Sequence, residues 1–97
     1  MRMQLKLTEH YLDWINRLKD RVTRARIQMR VDRLLHGNPG KHHVLTEGIV
    51  ELKIDVGPGY RIYFTEHGET LIILLIGGDK STQDRDINLA LQLVRTL

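Results

Sequence analysis

The feature that most restricts the fold is an alternation of apolar and polar residues in the middle of the chain. The alternating runs cover residues 49–55 and 60–65, and Gly57, Pro58 and Gly59 lie between them. Alternation with a period of two is typical of β-strands that bury one face. Proline followed by glycine suits the central positions of a type II turn. The sequence therefore predicts a β-hairpin here.

The N-terminal third of the chain predicts a short strand followed by two helices. Apolar residues alternate at positions 3, 5 and 7, as in a strand. Thr8 is placed to cap a first helix and Asp20 a second one, while Gly37 stands where the second helix would end. Apolar residues recur at helical spacing in both segments. These residues predict a helical hairpin.

One more strand and one more helix complete the chain. Residues 71–76 are apolar at every position, which predicts a central, buried strand. His67 and Gly68 would form a two-residue hairpin turn before it, and Ser81 with Asp84 would form a capping box at the start of the last helix. The order βααβββα predicts one α+β domain over residues 1–97, with an antiparallel sheet, the helical hairpin on one face and a C-terminal helix.

The composition excludes several kinds of site. The chain has no cysteine, which excludes disulfides, thiolate metal sites and a cysteine nucleophile. His42 and His43 are adjacent, which is poor spacing for joint ligation, so we expect no metal site. The longest apolar run has six residues, far fewer than the ~20 that span a bilayer. With no signal-like segment at the N-terminus, we expect a cytoplasmic protein that has no membrane partner.

Basic residues are concentrated in and near the predicted second helix. The whole chain carries a net charge of +3, but residues 17–33 include seven basic and two acidic side chains, a local charge of +5. Arginine suits paired hydrogen bonds to phosphate, so this helix predicts contact with RNA, although a merely solvated face is the alternative. The candidate RNA-binding and ribosome-binding residues are Arg21, Arg24, Arg26, Arg30 and Arg33.

A second polar group lies on the predicted hairpin. Glu51, Lys53, Arg61 and Tyr63 alternate with the apolar residues and must point away from the helical hairpin. Because no cover is expected on that side, they predict a shallow, wet and positively charged surface, and Lys80 arrives near it from the end of the central strand. Two cations and a phenol suit a phosphodiester. The alternative is that these polar side chains are simply solvated.

Three stretches carry a resemblance to a known family. GPGYRIYF, LLIGGDKSTQDRDI and RLLHGN together resemble the RelE/ParE superfamily of toxins from type II toxin–antitoxin modules, above all its HigB-like branch of addiction-module killer proteins. The resemblance implies a metal-free, cofactor-free endonuclease that enters the 30S A site of the ribosome and cleaves mRNA by attack of the ribose 2′-hydroxyl. It also implies a cognate antitoxin, which we expect to be a helix-turn-helix protein.

The resemblance implies roles for individual residues. Arg61, after the GPGY turn, would stabilise the phosphorane. Lys53 would bind the phosphate or act as a base. Lys80, after Gly-Gly-Asp, would interact with the leaving 5′-oxygen. Tyr63 would orient the substrate.

Other positions are less directly matched. Gln83 and Asp86 lie in the first turns of the last helix, where related toxins keep active residues, and are possible supporting residues. Relatives often have arginine at the position of Lys53. They also often have an acidic residue and then a lysine near Lys41 and His43, and this chain lacks that pattern. We therefore assign no role to that loop and name no histidine as a general base.

Two other functions are compatible with the sequence. A ParE-like inhibitor of DNA gyrase would share the fold, because a fold does not determine a function, but it would not need the cations of the sheet. A non-catalytic nucleic-acid-binding module would bind with a strong salt dependence and would not arrest growth.

Overall fold

A computed structural model describes residues 2–97 and contains one five-stranded sheet with helices on both faces. The strands are β1 (Gln4–Leu7), β2 (His42–Val44), β3 (Ile49–Ile54), β4 (Tyr60–His67) and β5 (Leu71–Gly78). The helices are α1 (Glu9–Arg17), α2 (Arg21–Leu35) and α3 (Gln83–Val94), and a 3-10 turn (Lys80–Thr82) precedes α3. The predicted α+β class is confirmed.

The strand order is β1-β5-β4-β3-β2. Strand β1 runs parallel to β5, and all the other neighbouring pairs are antiparallel.

The short edge strand β2 was not predicted from the sequence, because its three residues do not show a clear alternation. The two-residue turn predicted at His67 and Gly68 is wrong: β4 continues through His67, which pairs with Leu71, and residues 68–70 form the turn.

Local side-chain chemistry explains where the helices begin. The Thr8 hydroxyl accepts a hydrogen bond from the Tyr11 amide at 3.1 Å, and the Asp20 carboxylate accepts one from the Val22 amide at 3.0 Å. Both predicted caps are confirmed. The predicted Ser81–Asp84 capping box is wrong, since Asp79 and Thr82 form a capping box one turn earlier, around the 3-10 turn.

The first face of the sheet is covered by α1 and α2, as predicted. Leu52, Ile54, Ile62 and Phe64 are buried in one cluster with apolar side chains of both helices. These residues are the apolar members of the alternating runs. The hairpin that the sequence predicts therefore fixes which face meets the helical pair.

The second face is covered by α3, so the prediction of an open, wet surface there is wrong. Ile49, Tyr63, Ile73 and Leu75 are buried against this helix, together with Ala90. The physical reason lies in β5, whose residues are apolar on both faces and need cover on both. The apolar side of α3 supplies that cover, because α1 and α2 already occupy the first face.

A β-bulge changes the facing of residues near the end of β5. Tyr63 pairs with Ile76 and Phe64 with Leu74, which leaves Leu75 as the extra residue. Beyond the bulge, a Cβ on Gly77 would lie 2.1 Å from the Trp14 ring and one on Gly78 would lie 1.8 Å from the Asp86 carboxylate. Glycine at both positions therefore lets α1 and α3 approach opposite faces of one strand end.

Arg30 connects α2 to the sheet. Its Nη1 donates to the carbonyl of Lys53, and its Nη2 donates to the carbonyls of Pro39 and Lys41 at 2.9 and 3.1 Å. Arg30 is one of the candidate RNA-binding arginines, but its half-buried guanidinium turns inward and is occupied by these carbonyls. This contact holds the loop before β2 against the end of β3.

We expect Arg30→Ala to lower the free energy of unfolding by about 1.5–3 kcal/mol, because partly buried carbonyls lose a charged donor. The matched variant Arg26→Ala removes an exposed arginine of the same helix and should change the value by less than about 0.5 kcal/mol. Urea unfolding of the two variants measures the difference. Equal effects would contradict the structural role of Arg30.

Candidate active site

The candidate active site lies at the end of the sheet where β3 and β5 finish and β4 begins. Lys53 pairs with Arg61, and Arg61 pairs with Gly78 on the next strand. Lys80 follows two residues later. The Arg61 Nη1 atom and the Lys80 Cβ lie 3.3 and 3.8 Å from the point where a Cβ on Gly59 would stand. The structure thus brings together the three cations that the sequence singled out.

These three cations differ in exposure. Lys80 is exposed and Lys53 is half-buried, whereas Arg61 is only 8% exposed. The Arg61 Nη1 donates to the Gly59 carbonyl at 2.7 Å, and its Nε faces the Glu51 carboxylate at 3.6 Å without a hydrogen bond. The prediction that Arg61 lies on an open surface is therefore wrong. Its guanidinium is held rigidly at the border between core and solvent.

Glu51 is the centre of a buried polar cluster beneath α3. The Tyr63 hydroxyl donates to its Oε2 at 3.0 Å, and the Gln83 amide donates to the same oxygen at 2.8 Å. Glu51 is 2% exposed, and a buried carboxylate is tolerated only with such partners. Since Gln83 begins α3, this cluster ties the helix N-terminus to β3 and β4.

Tyr63 has a different environment from the predicted one. It is fully buried, so the prediction that it lies on an open face is wrong. Burial raises the pKa of its hydroxyl, and the neighbouring Glu51 charge raises this pKa further. Tyr63 is thus a neutral hydrogen-bond donor that supports Glu51, which in turn faces Arg61.

Asp86 is also buried, at 4% exposure, and its carboxylate accepts a hydrogen bond from the Thr82 hydroxyl. Burial raises the pKa of Asp86. By contrast, a hydrogen bond from the Ser81 hydroxyl lowers the pKa of Asp79, and the Arg61 charge acts in the same direction. Asp79, which caps the 3-10 turn that carries Lys80, is therefore held mainly by its hydrogen bonds with that turn.

The structure adds two residues that sequence reasoning left without a role. His43 pairs with Glu51 across β2 and β3 and so shares its face of the sheet. The Lys41 carbonyl accepts from the Lys53 amide at 3.0 Å, and the Lys41 ammonium pairs with Asp55 at 3.2 Å. Recognising β2 as an edge strand would have placed both residues beside the cations.

The arginines of α2 form a separate surface. Arg21, Arg24, Arg26 and Arg33 are exposed, in contrast to the half-buried Arg30. A groove of about 360 Å³ runs between Arg26, Arg33 and the end of β3. Contact of this surface with RNA stays a prediction.

Within residues 2–97, no group of three or more His, Asp or Glu side chains is placed to hold a metal ion. In that same part of the chain, no helix is both long enough and apolar enough to cross a membrane.

The fold defines the class of protein. A structure of the E. coli toxin RelE, a double arginine-to-alanine mutant in the free state, superposes on this chain with a TM-score of 0.78. The match covers 95% of this chain and 97% of the RelE chain at 16% sequence identity. The architecture is therefore RelE-like.

The sequence then places the chain in a family. It belongs to the family described as Phage derived protein Gp49-like (DUF891), whose model matches residues 13–95. A protein of Haemophilus influenzae, described as uncharacterised, is 44% identical over 97 residues, which is all of this chain and 98% of that protein. The predicted membership in the RelE-like toxin superfamily is confirmed, and the HigB-like branch stays a prediction.

We expect Asp86→Asn to become more stable relative to the wild type as the pH rises from about 3 to about 7. A raised pKa means that the folded state binds the Asp86 proton more tightly than the unfolded state does, so the contribution of Asp86 to wild-type stability falls as pH rises above the ordinary Asp pKa of about 3.9. Asparagine removes this titration and can still accept from Thr82.

The measurement is urea unfolding of both proteins across that pH range. Asp84→Asn, at an exposed position in the same helical turn, controls for the loss of a negative charge near the helix N-terminus. A difference between wild type and Asp86→Asn that is constant with pH, or that has the opposite trend, would contradict the assignment.

Proposed function

We propose that this protein is the toxin of a type II toxin–antitoxin module and that it cleaves mRNA in the ribosomal A site without a metal. The observation that supports the proposal is that Arg61 pairs with Lys53 on the neighbouring strand, while its Nη1 and the Cβ of Lys80 both lie beside Gly59. The Gp49-like family and the RelE-like fold support a toxin–antitoxin role. A HigB-like function follows from the motifs around Arg61 and Lys80.

The proposed reaction is attack of the ribose 2′-hydroxyl on the adjacent phosphorus. The new P–O2′ bond forms as the P–O5′ bond breaks, and negative charge builds up on the non-bridging oxygens. Arg61 is suited to stabilise this charge, because its contacts with Gly59 and Glu51 hold the guanidinium in place before the reaction. Pre-oriented charge of this kind needs no reorganisation during the reaction.

The two lysines are suited to the proton transfers. Lys80 is exposed and can donate a proton to the leaving 5′-oxygen. Lys53 lies beside Arg61, where it can bind the phosphate or accept the proton of the 2′-hydroxyl. In this proposal Tyr63, Gln83 and Glu51 act indirectly by orienting Arg61, and Asp86 supports the turn that carries Lys80.

The proposed partners follow from the target. The exposed arginines of α2 would contact ribosomal RNA through phosphates and shape, and the mRNA would enter at the cation cluster. A cognate antitoxin, expected to carry a helix-turn-helix, would keep the toxin inactive. Such a toxin acts in the cytoplasm, where ribosomes translate.

We expect Lys80→Ala to reduce the rate of mRNA cleavage by about 10²–10³-fold, the usual cost of removing one group that stabilises a transition state. Purified ribosomes programmed with a defined mRNA, followed by primer extension, measure this rate. Lys6→Ala removes another exposed lysine, on β1, and should cleave at the wild-type rate.

Lys80 is a better test than Arg61. Truncation of Arg61 would leave Glu51 buried without its cation, and breaking a buried ion pair costs about 3–5 kcal/mol. Arg61→Lys keeps the charge but loses the planar fork. This variant should therefore fold, but its rate of mRNA cleavage should be far below that of the wild type. Circular dichroism verifies folding.

Other results would identify a different function. Wild-type cleavage by Lys80→Ala would remove the cation cluster from the mechanism. DNA breaks with intact mRNA after induction would show gyrase inhibition in the manner of ParE. Salt-dependent RNA binding without cleavage or growth arrest would show a binding module.

A further inference from the structure

A second pocket lies between α1 and α3, at the edge of β5 that does not face β4. Its volume is about 340 Å³, at the lower end of the ~300–1,000 Å³ typical of small-ligand sites. Trp14 and Gly77 are among the residues that line it, together with Arg17 from α1 and Arg85 from α3. The cation cluster lies on the other side of the same strand end.

The aromatic wall of this pocket is rigid. The Trp14 ring packs directly against the backbone of Gly77, with ring centroids 5.7 Å from Tyr11 and 6.3 Å from Tyr60. Trp14 is only half-buried, so part of the ring remains accessible from the pocket. An aromatic ring held in this way is suited to stacking on a nucleobase.

The polar rim has the groups that a nucleotide requires. Arg17 is exposed, and the Arg85 side chain is 78% exposed with its Nε 3.8 Å from Asp86, too far for a hydrogen bond. Both guanidinium groups can therefore bind phosphate. The exposed Asp13 carboxylate in the same pocket can accept hydrogen bonds from the exocyclic amino group of a base.

The floor of the pocket also offers unpaired backbone. Strand β1 pairs with β5 only as far as Leu74, and Thr8 adds side-chain contact with the Leu75 carbonyl. In residues 2–97, no strand pairs with the outer edge of β5 beyond that point. Because successive residues of a strand direct their N–H and C=O groups to opposite edges, one of Ile76 and Gly77 can offer its backbone groups to a ligand on this edge.

The position relative to the cation cluster determines which ligand is favoured. Gly77 is adjacent to Gly78, which pairs with Arg61. We propose that the pocket is a nucleotide-binding subsite, in which Trp14 stacks on a base of single-stranded RNA next to the cleaved linkage while Arg17 and Arg85 bind its phosphate. This inference rests on the function proposed above, since it assigns the neighbouring part of the same substrate.

The chain has a single tryptophan, so fluorescence reports directly on this pocket. The probe is a 2′-O-methyl RNA hexanucleotide, which lacks the nucleophilic hydroxyl and is not cleaved. We expect saturable quenching of Trp14 fluorescence by this probe at low salt. The double variant Arg17→Ala/Arg85→Ala should weaken the affinity by about 10-fold or more, as expected for the loss of at least 1.4 kcal/mol.

A matched variant separates this site from general electrostatics. Lys6→Ala/Lys19→Ala removes the same charge at exposed positions outside the pocket and should bind nearly as well as the wild type. In the ribosome assay, Arg17→Ala/Arg85→Ala should raise KM with little change in kcat. Contacts to a flanking nucleotide stabilise the bound substrate and the transition state equally, so their loss weakens binding without slowing the chemical step.

Failure of this inference differs from failure of the proposed function. RNA that binds without a change in Trp14 fluorescence, or equal affinity in the two double variants, would overturn the subsite even if the ribosome assay shows cleavage. Quenching by an acidic peptide but not by RNA would also overturn it. Quenching that is lost in the Arg17/Arg85 variant, with no cleavage on ribosomes, would support an RNA site while removing the nuclease.

Discussion

The arrangement at the functional end of the molecule depends on the buried carboxylate of Glu51. It accepts hydrogen bonds from β4 through Tyr63 and from α3 through Gln83, and it faces the guanidinium of Arg61. A buried charge is tolerated only when its partners are all in place. The position of α3 on the sheet and the direction of Arg61 are therefore coupled. A change in the packing of α3 would therefore also move the charged groups at this end.

Much of the fold was predictable because local patterns and tertiary packing agree. The alternation around Gly57 and Gly59 gave the hairpin, and Thr8 and Asp20 cap the two helices that the sequence predicts. Some errors are local, such as the placement of the turn at His67 and of the cap at Ser81, and others arise where a residue's surroundings depend on another element of the fold. Strand β2 is defined by its pairing with β3, in which His43 lies opposite Glu51, and a three-residue edge strand has too little periodicity of its own to be recognised.

The sequence predicts which residues form the candidate site, but it does not predict how exposed they are to solvent. Lys53, Arg61 and Lys80 come from neighbouring backbone positions, since adjacent strands and a strand exit bring them to one end of the sheet. Their exposure could not be predicted, because it depends on which face α3 covers. Strand β5 holds the signal for that cover, since its apolar residues on both faces require two layers of helices. Arg30 was misjudged for a similar reason: its carbonyl partners include Lys53, 23 positions away.

The hydrogen bonds of Arg30 have a mechanical consequence. They join α2 to the carbonyl of Lys53, so the arginine-bearing helix is tied directly to the strand next to Arg61. A large partner that binds the outer face of α2 would therefore also determine the position of the Lys53 backbone, to which Arg30 is hydrogen-bonded. Binding of the partner and positioning of the cations would then occur in one step. An error in how the partner binds α2 would displace the cations at the end of β3.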